Sequence, residues 1–295
     1  MSLAIESNKD LPKCINTATK QAKKARELVT LSTCIATTKA SAPQFHGSFQ
    51  GFFSRTVIHD KELDDAAIFI YRMTCMPGKM WIEAMAPDKL ITANISLGRV
   101  LARGLVEGST AKVVDDTLRP HLELLLSSDD AQVRQFDDTT RRLLGELDIL
   151  KKLPLWVAHF DLNDVNIMLD EHGEVSGLID WELSTPLPFG MAFCRIHKLA
   201  GEYSDGEFYM PPDFERAERG FWDAVWNGLT DGVRSLVEAN LEAVQTAVTL
   251  ATLLDAFQQV DNKIGPYNPV VVKALHKHLT YRIPRLRGPD SPYAG

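Results

Sequence analysis

Cysteine is scarce and scattered in this sequence. Cys14, Cys34, Cys75 and Cys194 show no C-x-x-C spacing and no histidine cluster beside them. That removes the usual zinc-site patterns and suits a reducing compartment. Basic charge is not in excess either: 32 Lys and Arg stand against 39 Asp and Glu, a net charge of -7. A nucleic-acid partner, which calls for a broad cationic face, is therefore not expected, and a neutral or cationic small substrate is weakly favoured. No run is apolar for the length that a bilayer crossing needs. Met1 to Asp10 lack the apolar stretch of a secretory signal. The expectation is a cytoplasmic protein without a membrane partner. Internal repeats, low-complexity tracts and a G-x-G-x-x-G loop are missing too.

What remains is globular in composition, with 45% hydrophobic and 24% charged residues. A length of 295 residues allows one large domain or two ordinary ones. Residues 17–40 carry Ala22, Ala25, Leu28, Val29, Leu31 and Ile35 near helical spacing, and Pro43 closes that helix. Ala66 to Met73 reads as a buried strand, with Phe45 to Ile58 as its antiparallel partner and His59 to Asp65 as the loop between them. Met76-Pro77-Gly78 is a turn that divides the chain into residues 1–75 and 76–295. Beyond it, Ile95 to Glu107 and Gln132 to Leu150 have the periodicity of amphipathic helices. Leu155 to Ala158, Ile167 to Leu169 and Val175 to Ile179 read as strands, the last two joined by a hairpin turn at Asp170 to Glu174. From Pro188 to about residue 280 the pattern is helical, broken near Pro211-Pro212 and Gly265-Pro266. The class is α+β, with a small sheet-bearing part and a larger helical part.

The chemistry concentrates in His159-Phe160-Asp161-Leu162-Asn163-Asp164-Val165-Asn166 and in Ile179-Asp180-Trp181-Glu182. A carboxylate such as Asp161 can orient an attacking hydroxyl and take its proton. The carboxamide oxygen of Asn166 and the carboxylate of Asp180 are hard donors suited to Mg²⁺. The intervening hairpin folds back, so the two come side by side. His159 serves as a scaffold for the loop, bonding its backbone or Asp180. A base plus a two-donor metal site is what phosphoryl transfer asks of a protein.

This stretch resembles the aminoglycoside phosphotransferase and choline kinase family, small-molecule kinases with a protein-kinase-like fold. Their H-G-D-x-x-x-x-N loop, strand-turn-strand and I-D-W/F-E pattern appear here as H-F-D-L-N-D-V-N and Ile179-Asp180-Trp181-Glu182, with Phe160 at the usual glycine. The resemblance implies Asp161 as catalytic base with His159 beside it, Asn166 and Asp180 as Mg²⁺ ligands, and ATP as donor. Ile70 to Met73 followed by Met76-Pro77-Gly78 is similar to the family's last small-lobe strand and hinge, which implies that Arg72, Met73 and Thr74 lie against the adenine. Pro186 to Gly190 and Gly201-Glu202-Tyr203 resemble the large fungal branch of the family. The acceptor, a small molecule with a hydroxyl, cationic in many relatives, would meet Asp164, Trp181, Glu182 and Glu202, with Asp205 and Glu207 near by. The likeness spans roughly residues 40–280.

The small lobe departs from the pattern. Its helix and last two strands are present, but sixteen residues before the helix are too few for three more strands of about 5–6 residues each. No strand-borne lysine is evident. Lys9 and Lys13 are the nearest substitutes, and Glu27 is the helix carboxylate that such a lysine would pair with. A two-strand remnant exposes a sheet edge, which predicts a homodimer. Two other readings stay open: a binding or scaffold protein that kept the fold, and a non-kinase enzyme using His159 and Asp161 on a metabolite.

Overall fold

A computed structural model describes residues 57–63, 66–72, 77–159, 161–181, 184–199, 202–204, 207–260, 263–267 and 269–287, some of them by backbone alone. The expected helix at 17–40 lies outside the described residues, as do Lys9, Lys13 and Glu27. The chain divides into two compact units, Met1–Pro77 and Gly78–Gly295.

In the first unit β1 (Val57–Leu63) pairs antiparallel with β2 (Ala66–Arg72), in a register running from Val57 opposite Arg72 to Leu63 opposite Ala66. The second strand is where its run of β-formers puts it. Of the partner strand expected at Phe45 to Ile58, Val57 and Ile58 lie in β1, and residues 45–56 lie outside the described residues. His59 to Leu63 continue the ladder instead of forming a loop, since ladder pairing is made by backbone groups that polar residues carry as well.

The second unit begins with β3 (Lys79–Met80) and α1 (Trp81–Ala84), then α2 (Leu90–Leu101) and β4 (Leu105–Val106). Three short helices follow, α3 (Thr110–Val113), α4 (Arg119–Leu126) and α5 (Ala131–Arg134), before α6 (Asp137–Glu146). The sheet elements β5 (Leu155–Ala158), β6 (Ile167–Leu169), β7 (Val175–Leu178) and β8 (Thr185–Pro188) come next. Then come α7 (Ile196–Leu199), the hairpin β9 (Glu202–Ser204) and β10 (Glu207–Tyr209), α8 (Phe214–Gly228), α9 (Asp231–Glu238), α10 (Leu241–Leu254), the hairpin β11 (Phe257–Val260) and β12 (Lys263–Pro266), and α11 (Pro269–His278). The class is α+β with small antiparallel sheets, as expected.

The helix expected at 95–107 runs instead from Leu90 to Leu101. Gly104 ends it, and its carbonyl accepts from Val157 N at 2.7 Å, so Leu105 and Val106 pair with β5. The region after Pro188 is mostly helical but contains two hairpins that the helical reading missed. Their β-forming residues, Tyr203, Phe208, Tyr209, Phe257 and Val260, flank Gly, Asp and Asn punctuation.

The core forms around α10. Ala243 through Leu254 are all buried, which suits a helix whose apolar residues occur on every side. Its polar side chains are satisfied internally: Thr249 and Thr252 hydroxyls donate to the carbonyls of Gln245 and Val248, and Gln245 bridges Tyr281 O and Ile283 N. Phe189, Phe193, Phe221, Trp222 and Trp226 stack edge to face beside it, so the aromatic stripe on α8 is core. Helices α2 and α8 approach closely because Gly98 leaves room; a Cβ there would lie 2.4 Å from Phe221 O. A buried ion pair closes this side: Arg287 donates twice to Glu218, at 2.7 and 2.5 Å.

Candidate active site

Two sheets meet at the site. In one, β5 pairs with β4 and β8; in the other, β6 pairs with β3 and β7. The loop from His159 to Asn166 runs from the end of β5 to the start of β6. The hairpin expected at Asp170 to Glu174 is there. Asp170 Oδ1 accepts from His172 N and Glu174 N, both at 2.9 Å, and Gly173 takes a left-handed φ of 80°. Because β6 and β7 pair, Ile179 N donates to Asn166 O at 3.0 Å, which sets Asp180 beside Asn166 across the hairpin.

The loop closes on Asp161. Asn163 Nδ2 donates to its Oδ1 at 2.9 Å, and Asn166 Nδ2 donates to its Oδ2 at 3.0 Å and to its carbonyl at 2.8 Å. Asn163 Oδ1 in turn accepts from the backbone N–H groups of Val165 and Asn166. Asn163 therefore shapes the loop as a turn residue, a role that the spacing of Asp161 and Asn166 alone did not reveal. The Asn166 amide nitrogen is committed to Asp161, so its oxygen is the face left for a cation. Asp161 stays 37% exposed, open to a reactant.

His159 is buried. Its Nε2 lies 2.8 Å from the Ile179 carbonyl, which can only accept, so the proton sits on Nε2. It holds the backbone next to Asp180, not the Asp180 carboxylate. Nδ1 is buried without a hydrogen-bond partner. Burial pushes the His159 pKa below its ordinary 6.5, although the Ile179 carbonyl and the charges of Asp161 and Asp180 pull the other way. Burial thus favours the neutral imidazole in the fold. Trp181 packs on this ring at 4.7 Å and donates from Nε1 to Leu178 O at 2.9 Å, which makes it a floor under the loop.

Asp180 is the only non-glycine residue with positive φ among the described residues, at 62°. Strain of this kind gathers at functional positions. Asp164 accepts from Ile82 N at 3.0 Å through its carbonyl, anchoring α1 to the loop. Glu182, Asp205, Met73 and Thr74 lie outside the described residues, Arg72 ends β2, and Glu202 and Glu207 are described by backbone alone.

Arg195 and Asp255 join the cluster from far along the chain. Arg195 Nε donates to Asp255 Oδ1 at 2.9 Å and Nη2 donates to the same oxygen. Nη1 lies 3.4 Å from both Asp161 Oδ1 and Leu162 O. Burial works against the Arg195 charge, but Asp255, then Cys194 and Asp161, outweigh it and raise its pKa. An open groove of about 420 Å³, between the Ser127–Asp130 turn and the β11–β12 hairpin, contains none of these residues.

The described residues hold no group of three His, Cys, Asp or Glu side chains that could bind a metal on their own. Asn166 and Asp180 supply two hard oxygens on one hairpin. That fits Mg²⁺, which keeps waters and takes further oxygens from a substrate's phosphates.

The model of the phosphotransferase enzyme family matches residues 54–194. Residues 54–194 are similar to that family, just under half of the chain. The family is the one the loop motif resembles, and the matched segment contains the loop from His159 to Asn166 and the β6–β7 hairpin through Asp180, but not Arg195 or Asp255. Solved structures similar to this chain include a Plasmodium vivax ethanolamine kinase, with 14% identity, TM-score 0.43, covering 77% of this chain and 68% of that one. An aminoglycoside-3'-phosphotransferase of type VIII shows 16% identity and TM-score 0.36 over 73% of this chain and 78% of its own. A type I macrolide 2'-phosphotransferase shows 14% identity and TM-score 0.37 over 85% and 98%. These likenesses carry no argument about substrate. No curated protein matches. No helix among the described residues is long and apolar enough to cross a membrane.

Proposed function

We propose that this chain is a small-molecule O-phosphotransferase that uses Mg²⁺-ATP, with residues 1–75 as a reduced small lobe and 76–295 as the lobe that carries the chemistry. The observation that carries the reading is the hydrogen-bonded set Asp161, Asn163 and Asn166, with Asp180 brought beside it by the hairpin. Asp161 accepts the acceptor hydroxyl's hydrogen bond and takes its proton as the oxygen attacks phosphorus. Asn163 and Asn166 hold its carboxylate in place by donating to Oδ1 and Oδ2. His159, neutral and bonded to Ile179 O, keeps the Asp180 backbone in position. Asn166 and Asp180 would hold the ion; when bound, Mg²⁺ neutralises charge on the phosphates. Arg72, Met73 and Thr74 are the proposed adenine contacts, and the acceptor is a small molecule bearing a hydroxyl.

The test is a melting curve at millimolar nucleotide, with and without Mg²⁺, on the wild type and Asp161→Ala. A Mg²⁺-dependent nucleotide shift in both, with phosphoryl transfer or slow ATP hydrolysis in the wild type alone, is the expected result. Absence of any such shift rejects the reading. Binding indifferent to metal, or turnover that survives Asp161→Ala, favours a binding protein or another chemistry.

A further inference from the structure

Asp161 is held by two kinds of contact. Asn163 and Asn166 belong to its own loop, so their side chains fix the carboxylate relative to the loop. Arg195 reaches it from outside. Its guanidinium touches both the Asp161 carboxylate and the Leu162 carbonyl through Nη1, while Nε and Nη2 grip Asp255, the residue that caps helix α10 after its buried stretch from Ala243 to Leu254. The burial gradient follows the same line: side-chain exposure is 5% at Asp255, 18% at Arg195 and 37% at Asp161.

We propose that Arg195, oriented by Asp255, is a positioning residue that registers the Asp161 carboxylate against α10, on the reading of Asp161 as the base given above. Only a planar fork does this. Three nitrogens face two elements in fixed directions, which the single ammonium of lysine cannot reproduce. The function follows from tolerance: misplacing a catalytic group by about 1 Å can reduce turnover about 100-fold. Both residues lie beyond the family segment, which ends at 194.

The experiment measures Mg²⁺-ATP hydrolysis, with water as acceptor, for the wild type, Arg195→Lys, Asp255→Asn and the double variant Arg195→Gln/Asp255→Asn. Crystal structures of the wild type, the lysine variant and the double variant accompany it. Arg195→Lys keeps a charge opposite Asp255, and the double variant removes both charges of the Arg195–Asp255 pair together. Expected is a fall of about 10- to 100-fold in kcat, with KM for ATP within about twofold. Asp255→Asn should lose a similar factor, and adding it to Arg195→Gln should cost nothing more. Asp161 should leave its wild-type rotamer in both variant crystal structures. Unchanged kcat, additive losses, or an unmoved Asp161 overturns the proposal. If the wild type hydrolyses no Mg²⁺-ATP, the phosphotransferase reading fails, and the crystal structures alone decide the positioning role.

Discussion

Asp180 lets backbone strain be separated from chemistry. Its φ of 62° places an L-residue in the left-handed region, which costs roughly 1–2 kcal/mol for a residue with a Cβ and less for Asp, whose short polar side chain bonds locally. Replacing it with alanine removes that relief. Replacing it with glycine removes the steric cost altogether, but glycine gains freedom in the unfolded chain worth about 0.4–1 kcal/mol. The difference favours Asp180→Gly over Asp180→Ala by about 0.5–1 kcal/mol, or roughly 1–4 °C in melting temperature for a unit of this size. Both variants lack the carboxylate, so both should lose the Mg²⁺-dependent nucleotide shift. Differential scanning calorimetry and the nucleotide melting assay together check this. An alanine variant as stable as the glycine variant would refute the strain argument. A glycine variant that keeps the metal-dependent shift would remove Asp180 from the metal site.

Other outcomes follow from the same geometry. Arg287→Ala leaves Glu218 fully buried without its bidentate partner and should cost about 3–5 kcal/mol by urea unfolding, whereas Arg287→Met with Glu218→Gln should cost much less. Burial already raises the Glu218 pKa, so the Arg287→Ala deficit should shrink as pH falls toward 5 and the carboxyl takes a proton. Burial lowers the pKa of both His159 and His121, so the unfolded chain binds more protons than the fold just below pH 6.5. Stability should therefore fall as pH drops through that value, and His159→Gln should flatten the slope. Gly98→Ala should destabilise by about 1–3 kcal/mol because its Cβ meets Phe221 O. Gly145→Ala, with nothing within 4 Å of the new Cβ, should stabilise α6 by about 0.5–1 kcal/mol.

The loop and its hairpin were legible because their determinants are local. Asp161 and Asn166 are five residues apart, and Asp170 and Gly173 write the turn between β6 and β7 into adjacent positions. Asn163 was hidden for the opposite reason: its role lies in backbone bonds that any short polar residue in a turn could make. Arg195 and Asp255 stand 60 positions apart and meet only because α7 and α10 bring their ends to the loop. No spacing rule covers such a pair. The short hairpins at 202–209 and 257–266 were lost inside a helical background because strands of three or four residues show too little alternation to outweigh the long helices around them. Gly104 acted against periodicity in the same way, since one residue of helix breaking turned the end of a predicted helix into β4.

The β6–β7 hairpin is tied on several sides. Val175 N donates to Ser96 Oγ on α2 at 2.9 Å, Lys89 Nζ donates to Glu171 O at 3.1 Å, and β3 pairs along the outer edge of β6. Its ladder advances about 3.3 Å per residue, and slipping it by one residue would turn every buried side chain outward. The separation between the Asn166 and Asp180 backbones is therefore a stepped quantity, not a continuous one. Gradual substitution around the hairpin can retune charge and access at that position, while the backbone register beneath it changes only in whole residues. A change of that register would mean rebuilding three supports at once.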